Sequence, residues 1–329
     1  MSLVKQNNKI VIKGLEISPP IALAPMVGLS HSALRMLVMQ EGGVGLLFTE
    51  MLAAGRLVHD NDQCSPLLIR SSSEYPLFYQ IVTGDDETIG PALAKLDEFG
   101  AQGVDLNLGC PAPLQKKQGA GLALTTNQTH LIKVLRSIRK GTILPVSVKI
   151  RLGDELDVKR LQTFCRLLQD EGVDLITIHA RLNGEKFCRR PRWAIVGEVR
   201  HAVSVPIFIN GGIVSVEDAQ MSLEQSGADG LMIGRGAVQK PWLCGDIART
   251  LYAMEIKKRQ TSDQDIYFKF ADLLESQFAP ERRLGRLKQF TTYYAGSYAY
   301  GHHLASSVQS SSSLEQARKR AADFFAQNI

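Results

Sequence analysis

Short apolar segments alternate with amphipathic stretches along the first three quarters of the chain, and this alternation restricts the fold more than any other feature. The apolar segments are Ile21–Ala24, Val44–Thr49, Leu77–Val82, Val104–Leu108, Val146–Ile150, Leu175–His179, Ile207–Asn210 and Gly230–Ile233. Between them, Ser30–Gln40, Glu87–Phe99, Gln128–Arg139, Val158–Gln169 and Val216–Gln225 carry apolar residues at helical spacing. Turn residues mark the handovers, as at Glu171-Gly172, Ser204-Val205-Pro206 and Gln225-Ser226-Gly227. Eight strand–helix units over about 240 residues have the size and rhythm of an α/β fold of the (β/α)₈ or TIM-barrel type. An open doubly wound sheet is the competing arrangement, but no G-x-G-x-x-G follows the first strand.

After Trp242 the rhythm stops. Ile247–Arg259, Gln264–Glu275 and Leu284–Tyr294 read as helices with no strands between them, Ser306–Ser313 as a serine-rich connector, and Leu314–Ala326 as a last helix. The expected organisation is a barrel over residues 1–258 and a C-terminal helical bundle over 259–329. Basic residues cluster in the bundle, with Arg282, Arg283, Arg286 and Lys288 in one run and Arg318, Lys319 and Arg320 in another. The formal charge of +5 is compatible with a polyanionic partner, although either cluster alone also suits a solvated helix face. The five cysteines (Cys64, Cys110, Cys165, Cys188, Cys244) form no C-x-x-C pair, so neither a metal site nor a disulfide framework is indicated. Met1 to Lys13 lacks the apolar core of a signal peptide, and no segment approaches a membrane span. A cytoplasmic protein is expected, without membrane contact, bound metal or obligatory protein partner.

Barrel strands point alternate side chains inward, and barrel active sites form at the C-terminal strand ends. In Val146-Ser147-Val148-Lys149-Ile150-Arg151 the apolar residues face the helices, which places Ser147, Lys149 and Arg151 inside. An unpaired charge there is costly, so Lys149 needs an anionic or polar ligand, or else an ion pair with Asp105 on the neighbouring strand. Thr177, His179 and Arg181 share an inward face in the same way, and Gln80, Asn107 and Asn210 each end an inward row. Any one of these could be a satisfied core residue. Five strand ends turning polar together describe a ligand site.

Two glycine-bearing turns, Asn210-Gly211-Gly212 and Gly234-Arg235-Gly236-Ala237, follow the seventh and eighth strands, where barrels often bind phosphate. Arg235 adds a forked donor of fixed charge. The fourth strand leaves through Asn107-Leu108-Gly109-Cys110-Pro111, a sharp turn that delays the next helix and presents Cys110 over the barrel mouth. Cys165, inside an amphipathic helix, reads instead as a small buried hydrophobe.

These residues resemble the tRNA-dihydrouridine synthase family, of the FMN-dependent bacterial type. The matching segments are Leu23-Ala24-Pro25-Met26-Val27-Gly28, Thr49-Glu50-Met51, Asp105 to Pro111, Gly119-Ala120-Gly121-Leu122, Val148 to Gly153, Ile178 to Arg181, Asn210 to Ile213 and Gly234-Arg235-Gly236, in the family's order. The N-L-G-C-P turn coupled to V-K-I-R-L-G is the specific part. Leu287-Lys288-Gln289-Phe290 looks like part of the family's RNA-binding domain. The resemblance implies FMN across the barrel top, with Pro25, Met26 and Val27 supporting its ring and Gln80, Lys149 and His179 on its polar edge. Asn210, Gly211, Gly212, Gly234 and Arg235 would hold its phosphate. It also implies NADPH as reductant and tRNA as substrate, with hydride passing from flavin N5 to uracil C6 while Cys110 protonates C5. Asn107, Glu50, Arg151 and Arg181 would contact the substrate nucleotide, and Lys116, Lys117, Arg282, Arg283, Arg286 and Lys288 the rest of the RNA.

The chain departs from the family pattern at Ala180 and Leu182, which flank Arg181 where glycine and threonine are usual. At Gly212 an acidic residue is usual, and Val27 replaces a commoner small or acidic one. An FMN barrel acting on a free pyrimidine, of the dihydroorotate dehydrogenase type, is the alternative, and the basic helical extension argues against it.

Overall fold

A hairpin that the sequence reading passes over begins the fold. The structure, a computed structural model, describes residues 7–60, 65–186 and 188–327; Cys64 and the first six residues of the amino-terminal segment lie outside the described residues. Strands β1 (Ile10–Ile12) and β2 (Leu15–Ile17) pair antiparallel across Lys13-Gly14, both at positive φ (45° and 81°). That is the two-residue turn matched to strand twist. Ile12 and Ile17 cluster with Ala22, Phe48, Phe78, Leu175, Phe208 and Met232, which plugs the end of the barrel where the strands start.

The barrel strands are β3 (Ile21–Leu23), β4 (Leu47–Phe48), β6 (Leu77–Val82), β7 (Gly103–Asn107), β8 (Val146–Arg151), β9 (Leu175–His179), β10 (Ile207–Asn210) and β11 (Gly230–Ile233), with a short β5 (Leu52–Ala53) added on β6. Neighbours pair in parallel in the order β3-β11-β10-β9-β8-β7-β6-β4, and a parallel bridge from Ala22 to Leu46 closes the ring. All eight expected strands are present. β4 is the one much shorter than its apolar run, although Thr49 N–H still donates to Phe78 O of the neighbouring strand at 3.0 Å.

Helices wrap the outside: α1 (Ser32–Glu41), α2 (Ala54–Leu57), α3 (Ile89–Glu98), α4 (Pro113–Lys117), α5 (Gln128–Gly141), α6 (Val158–Asp170), α7 (Trp193–Arg200), α8 (Val216–Ser226), α9 (Arg235–Gln239) and α10 (Leu243–Leu251). Asn127, Asp157 and Ser215 cap α5, α6 and α8 by accepting backbone N–H groups of the first turn. Cys165 and Cys244 are fully buried, and burial pushes both thiols up to about 12.

The bundle comprises α11 (Asp263–Gln277), α12 (Arg283–Tyr294), α13 (Gly301–Gln309) and α14 (Leu314–Gln327). Its core is aromatic, with Phe270 stacked on Phe290 at 3.9 Å and Phe290 on Tyr294 at 4.9 Å. Two sequence expectations fail here. The helix expected over Ile247–Arg259 starts earlier and ends at Leu251, because Ala253 turns to positive φ (52°). The first half of the expected connector Ser306–Ser313 is helical and ends α13 at Gln309, since Leu304 and Val308 bury one face of that helix.

One buried ion pair was not read from the sequence. Arg35 on α1 and Glu74 before β6 bond directly, at 1% and 0% side-chain exposure. Arg35 also donates to Ser30 O and Ile69 O, and Glu74 accepts from Ser32 Oγ and Ser71 N. With its hydrogen bonds so fully matched, breaking the pair from one side leaves a bare buried charge. Glu74→Ala should lower the free energy of unfolding by about 3–5 kcal/mol in urea denaturation, whereas Glu16→Ala, in an exposed pair, should change it by less than about 1 kcal/mol.

Candidate active site at the barrel rim

Asp105, fully buried on β7, organises the centre of the rim. Its carboxylate accepts from Ser147 Oγ and Gln80 Nε2, both at 2.6 Å. Gln80 Oε1 in turn accepts from Asn107 Nδ2 at 2.9 Å. Asn107 Oδ1 accepts the backbone N–H groups of Gly109 and Cys110, at 3.1 and 2.9 Å. The chain of bonds Ser147–Asp105–Gln80–Asn107 therefore fixes the turn that carries the thiol. Burial raises the Asp105 pKa to about 6, opposed by these hydrogen bonds and by Lys149.

Lys149, beside this network, forms no ion pair within 4.0 Å among the described residues. The suggested Asp105–Lys149 pair is thus replaced by a longer-range attraction, because both Asp105 oxygens are engaged by neutral donors. Burial lowers the Lys149 pKa to about 8, helped by Arg151 and opposed by Asp105. Arg181 NH1 donates to His179 Nε2 at 2.9 Å, so the imidazole accepts there and carries its proton on Nδ1. Burial first, then Lys149, Arg151, Arg181 and Arg235, lower the His179 pKa to about 2. A neutral histidine among four cations marks a region of strongly positive potential. That is an environment for an anion.

Gln80, Asn107, Lys149, Arg151, His179, Arg181 and Arg235 line one cavity of about 530 Å³. Pro25, Met26 and Val27 form one side, with Val27 66% exposed. Asn210, Gly211, Gly212, Gly234 and Arg235 form another. Gly211 and Gly212 have φ of 109° and 76°, and a Cβ on either would strike His179 or Pro191, so only glycine keeps this wall open. Asn107, Cys110, Lys149, Arg151 and Arg181 complete the floor and mouth, with Cys110 partly exposed. The donor set suits a flat, anionic cofactor such as FMN, with a cation beneath and an arginine-flanked glycine wall for phosphate. No group of metal-ligating residues occurs among the described residues.

Several expected contacts lie elsewhere. Glu50 is 3% exposed, does not line the cavity, and accepts the Gly28 N–H. Gln80 and Asn107 line the cavity but have most of their carboxamide capacity engaged, which makes them supports of the thiol turn. Lys116 and Lys117 are exposed on α4, one turn beyond Cys110. Of the basic run at the start of α12, Arg282 precedes the helix and is exposed, Arg283 donates to Phe278 O, and Arg286 stacks over Phe278 at 4.3 Å. Lys288 is partly exposed. In the second cluster Arg318 pairs with Asp272 and Arg320 binds Ser307 O, so both hold the bundle together. The sequence reading missed Gln289 and Tyr293, which reach into the cavity from α12. Their i, i+4 spacing was legible, but their direction depends on how the bundle docks.

Comparison with known proteins agrees with this geometry. The model of the family described as Dihydrouridine synthase (Dus) matches residues 22–328. A protein of Rickettsia bellii named "Probable tRNA-dihydrouridine synthase" is 32% identical over 252 residues, 75% of this chain and 76% of that one. The tRNA-dihydrouridine synthase B of Pseudomonas aeruginosa is 30% identical over 227 residues, 69% and 68% of the two chains. Among solved structures, a 2-naphthoyl-CoA reductase complexed with 2-naphthoyl-CoA superposes with a TM-score of 0.56 at 12% identity, over 77% of this chain and 53% of that one. At that identity it speaks for the barrel fold alone.

Lys149 costs stability while the folded chain must carry its charge. The cost is full below about pH 8 and fades between there and the ordinary value of 10.5, where the unfolded chain still holds the proton. In ligand-free protein, Lys149→Met should therefore gain about 1–2 kcal/mol over the parent at pH 7.5 and lose most of that gain by pH 9.5. Urea denaturation at both values measures this; equal gains at the two pH values would contradict it.

Proposed function

Because the chain belongs to the dihydrouridine synthase family, we propose that it reduces uridine in transfer RNA to 5,6-dihydrouridine, using FMN held on the barrel rim and NADPH as reductant. The observation that carries this reading is Lys149, which pairs with no carboxylate within 4.0 Å among the described residues and shares its cavity with the Cys110 thiol.

FMN, when bound, would supply the hydride that it takes from NADPH and passes to C6 of the uracil. The chain's own residues do the rest. Lys149 would offset negative charge on the polar edge of the flavin, and the neutral His179 would avoid adding a second charge there. Asn210, Gly211, Gly212, Gly234 and Arg235 would hold the phosphate through backbone N–H groups and the guanidinium. Met26 and Pro25 would support the ring. Cys110 Sγ gives its proton to C5, so that one hydride and one proton saturate the bond. Asn107 serves this step by holding the Cys110 N–H, which leaves one amide hydrogen for the base. Arg151 and Arg181 line the mouth, where the flipped nucleotide enters and its charge needs matching.

The domain boundary at 258/259 is part of the same proposal, with residues 259–329 forming the tRNA-binding domain. Exposed Lys116, Lys117 and Arg282 and the partly exposed Lys288 would meet RNA phosphates, while Arg286 and Glu50 act within the protein. No described helix is long and apolar enough to cross a membrane, and a cytoplasmic setting fits a tRNA substrate.

Purified protein should be yellow and bleach with NADPH. Colour should return, with dihydrouridine formed, on adding tRNA that lacks the modification. Cys110→Ala should bleach normally yet reoxidise with tRNA at least ~100-fold more slowly, the scale of a lost general acid. Reoxidation by free uracil or dihydroorotate chemistry at the tRNA rate would overturn the RNA assignment. Separately, log affinity for tRNA should fall with log salt at a slope of roughly −3 to −4 if Lys116, Lys117, Arg282 and Lys288 each meet a phosphate. A flat response in filter binding would remove that role.

A further inference from the structure

The turn Val27–Gly28, which walls the cavity next to Met26, is held by groups that its own strand does not supply. Gly28 N–H donates to Glu50 Oε2, and Val27 O accepts from Gln289 Nε2 of α12 at 3.2 Å. Gly28 has φ +75°, and a Cβ there would sit 2.3 Å from Gln289 Oε1, so glycine is what lets the carboxamide lie against the turn. Glu50 is itself 3% exposed, a poor place for a carboxylate unless donors and cations compensate it. Burial raises its pKa, opposed by the Gly28 N–H and then by the fields of Arg286 on α12 and of Arg35. Arg286 stacks over Phe278 and donates to Arg282 O. Arg286, Gln289 and Tyr293 stand at i, i+3 and i+7, on one face of the helix. Tyr293 and Gln289 line the cavity itself.

We propose that α12 is a positioning element for the cofactor site: Gln289 holds the Val27–Gly28 turn in place, so the helical bundle sets flavin affinity in addition to meeting RNA. The proposal rests on the FMN reading above. It makes the bundle a part of the cofactor wall.

The rate at which FMN leaves the holoenzyme after dilution, read from recovery of flavin fluorescence, tests this without turnover. Gln289→Leu and Gln289→Glu, which both lack the Nε2 donor, should each speed release by about 5-fold, the worth of one hydrogen bond. Both should also shift the flavin's visible band. Release and spectrum equal to the parent in both variants, with only tRNA affinity reduced, would show that α12 serves RNA alone and overturn the proposal. A parent chain that takes up no FMN would instead overturn the flavin reading, and this proposal with it.

Discussion

A carboxylate buried at the centre of a strand ring has to be solvated by the protein, and the rim of this barrel is arranged around that requirement. Asp105 takes hydrogen bonds from Ser147 and Gln80, and each donor belongs to an adjacent strand. Gln80 then has an oxygen left for Asn107, and Asn107 an oxygen left for the N–H of Cys110. The position of the thiol follows from the desolvation of a charge three side chains away. The neutral donors also leave Lys149 without an ion pair within 4.0 Å among the described residues, although Asp105 attracts it. A tight Asp105–Lys149 pair would have satisfied both charges and closed the site to an anionic ligand.

The two ends of the barrel divide labour along this line. Where the strands start, Phe78, Phe208, Leu175 and Met232 pack with the hairpin isoleucines into a dry plug. Where the strands end, the inward positions become Gln80, Asn107, Lys149, His179 and Asn210. The dry end supplies burial energy of about 25 cal/mol per Å² of apolar surface, and it holds the strands in register. The polar end gives up part of that stability for chemistry, as Lys149 and Asp105 both show in pKa values moved toward their neutral forms.

What the sequence revealed depended on whether the signal was local. Four strands, including Leu175–His179 and Gly230–Ile233, have the boundaries that their apolar runs suggest, because period and turn residues are local properties. The inward face of Val146–Arg151 was legible for the same reason. Partners were not. Gln80 and Asn107 were correctly placed at the rim, but a carboxamide's partner is chosen by tertiary contact, and theirs are each other and the backbone of the thiol turn. Arg35 and Glu74 gave no warning of their pairing across 39 residues. The hairpin at Ile10–Ile17 carries its own signal, an apolar alternation about Lys13-Gly14. The serines of 306–313 have the composition of a connector, but the i, i+4 pair Leu304 and Val308 carries the helix into their first half.

Basic residues show the same limit most sharply, since a run of arginines says nothing about where each guanidinium points. Arg286, Arg318 and Arg320 bind within the protein, stacked on Phe278, paired with Asp272 or donating to Ser307 O. Arg282, Lys116 and Lys117 remain at the surface, where solvent screens them within roughly 10 Å at ordinary salt. Lys149, Arg151, Arg181 and Arg235 surround the cavity, and their combined effect on His179 shows that they act on one volume. Surface charge can steer a polyanion toward the mouth, but only the enclosed set acts through a medium poor enough in water to bind one anionic group strongly. Overall charge of +5 conceals this division, because it sums cations that stabilise the fold, cations that guide encounter and cations that define the site.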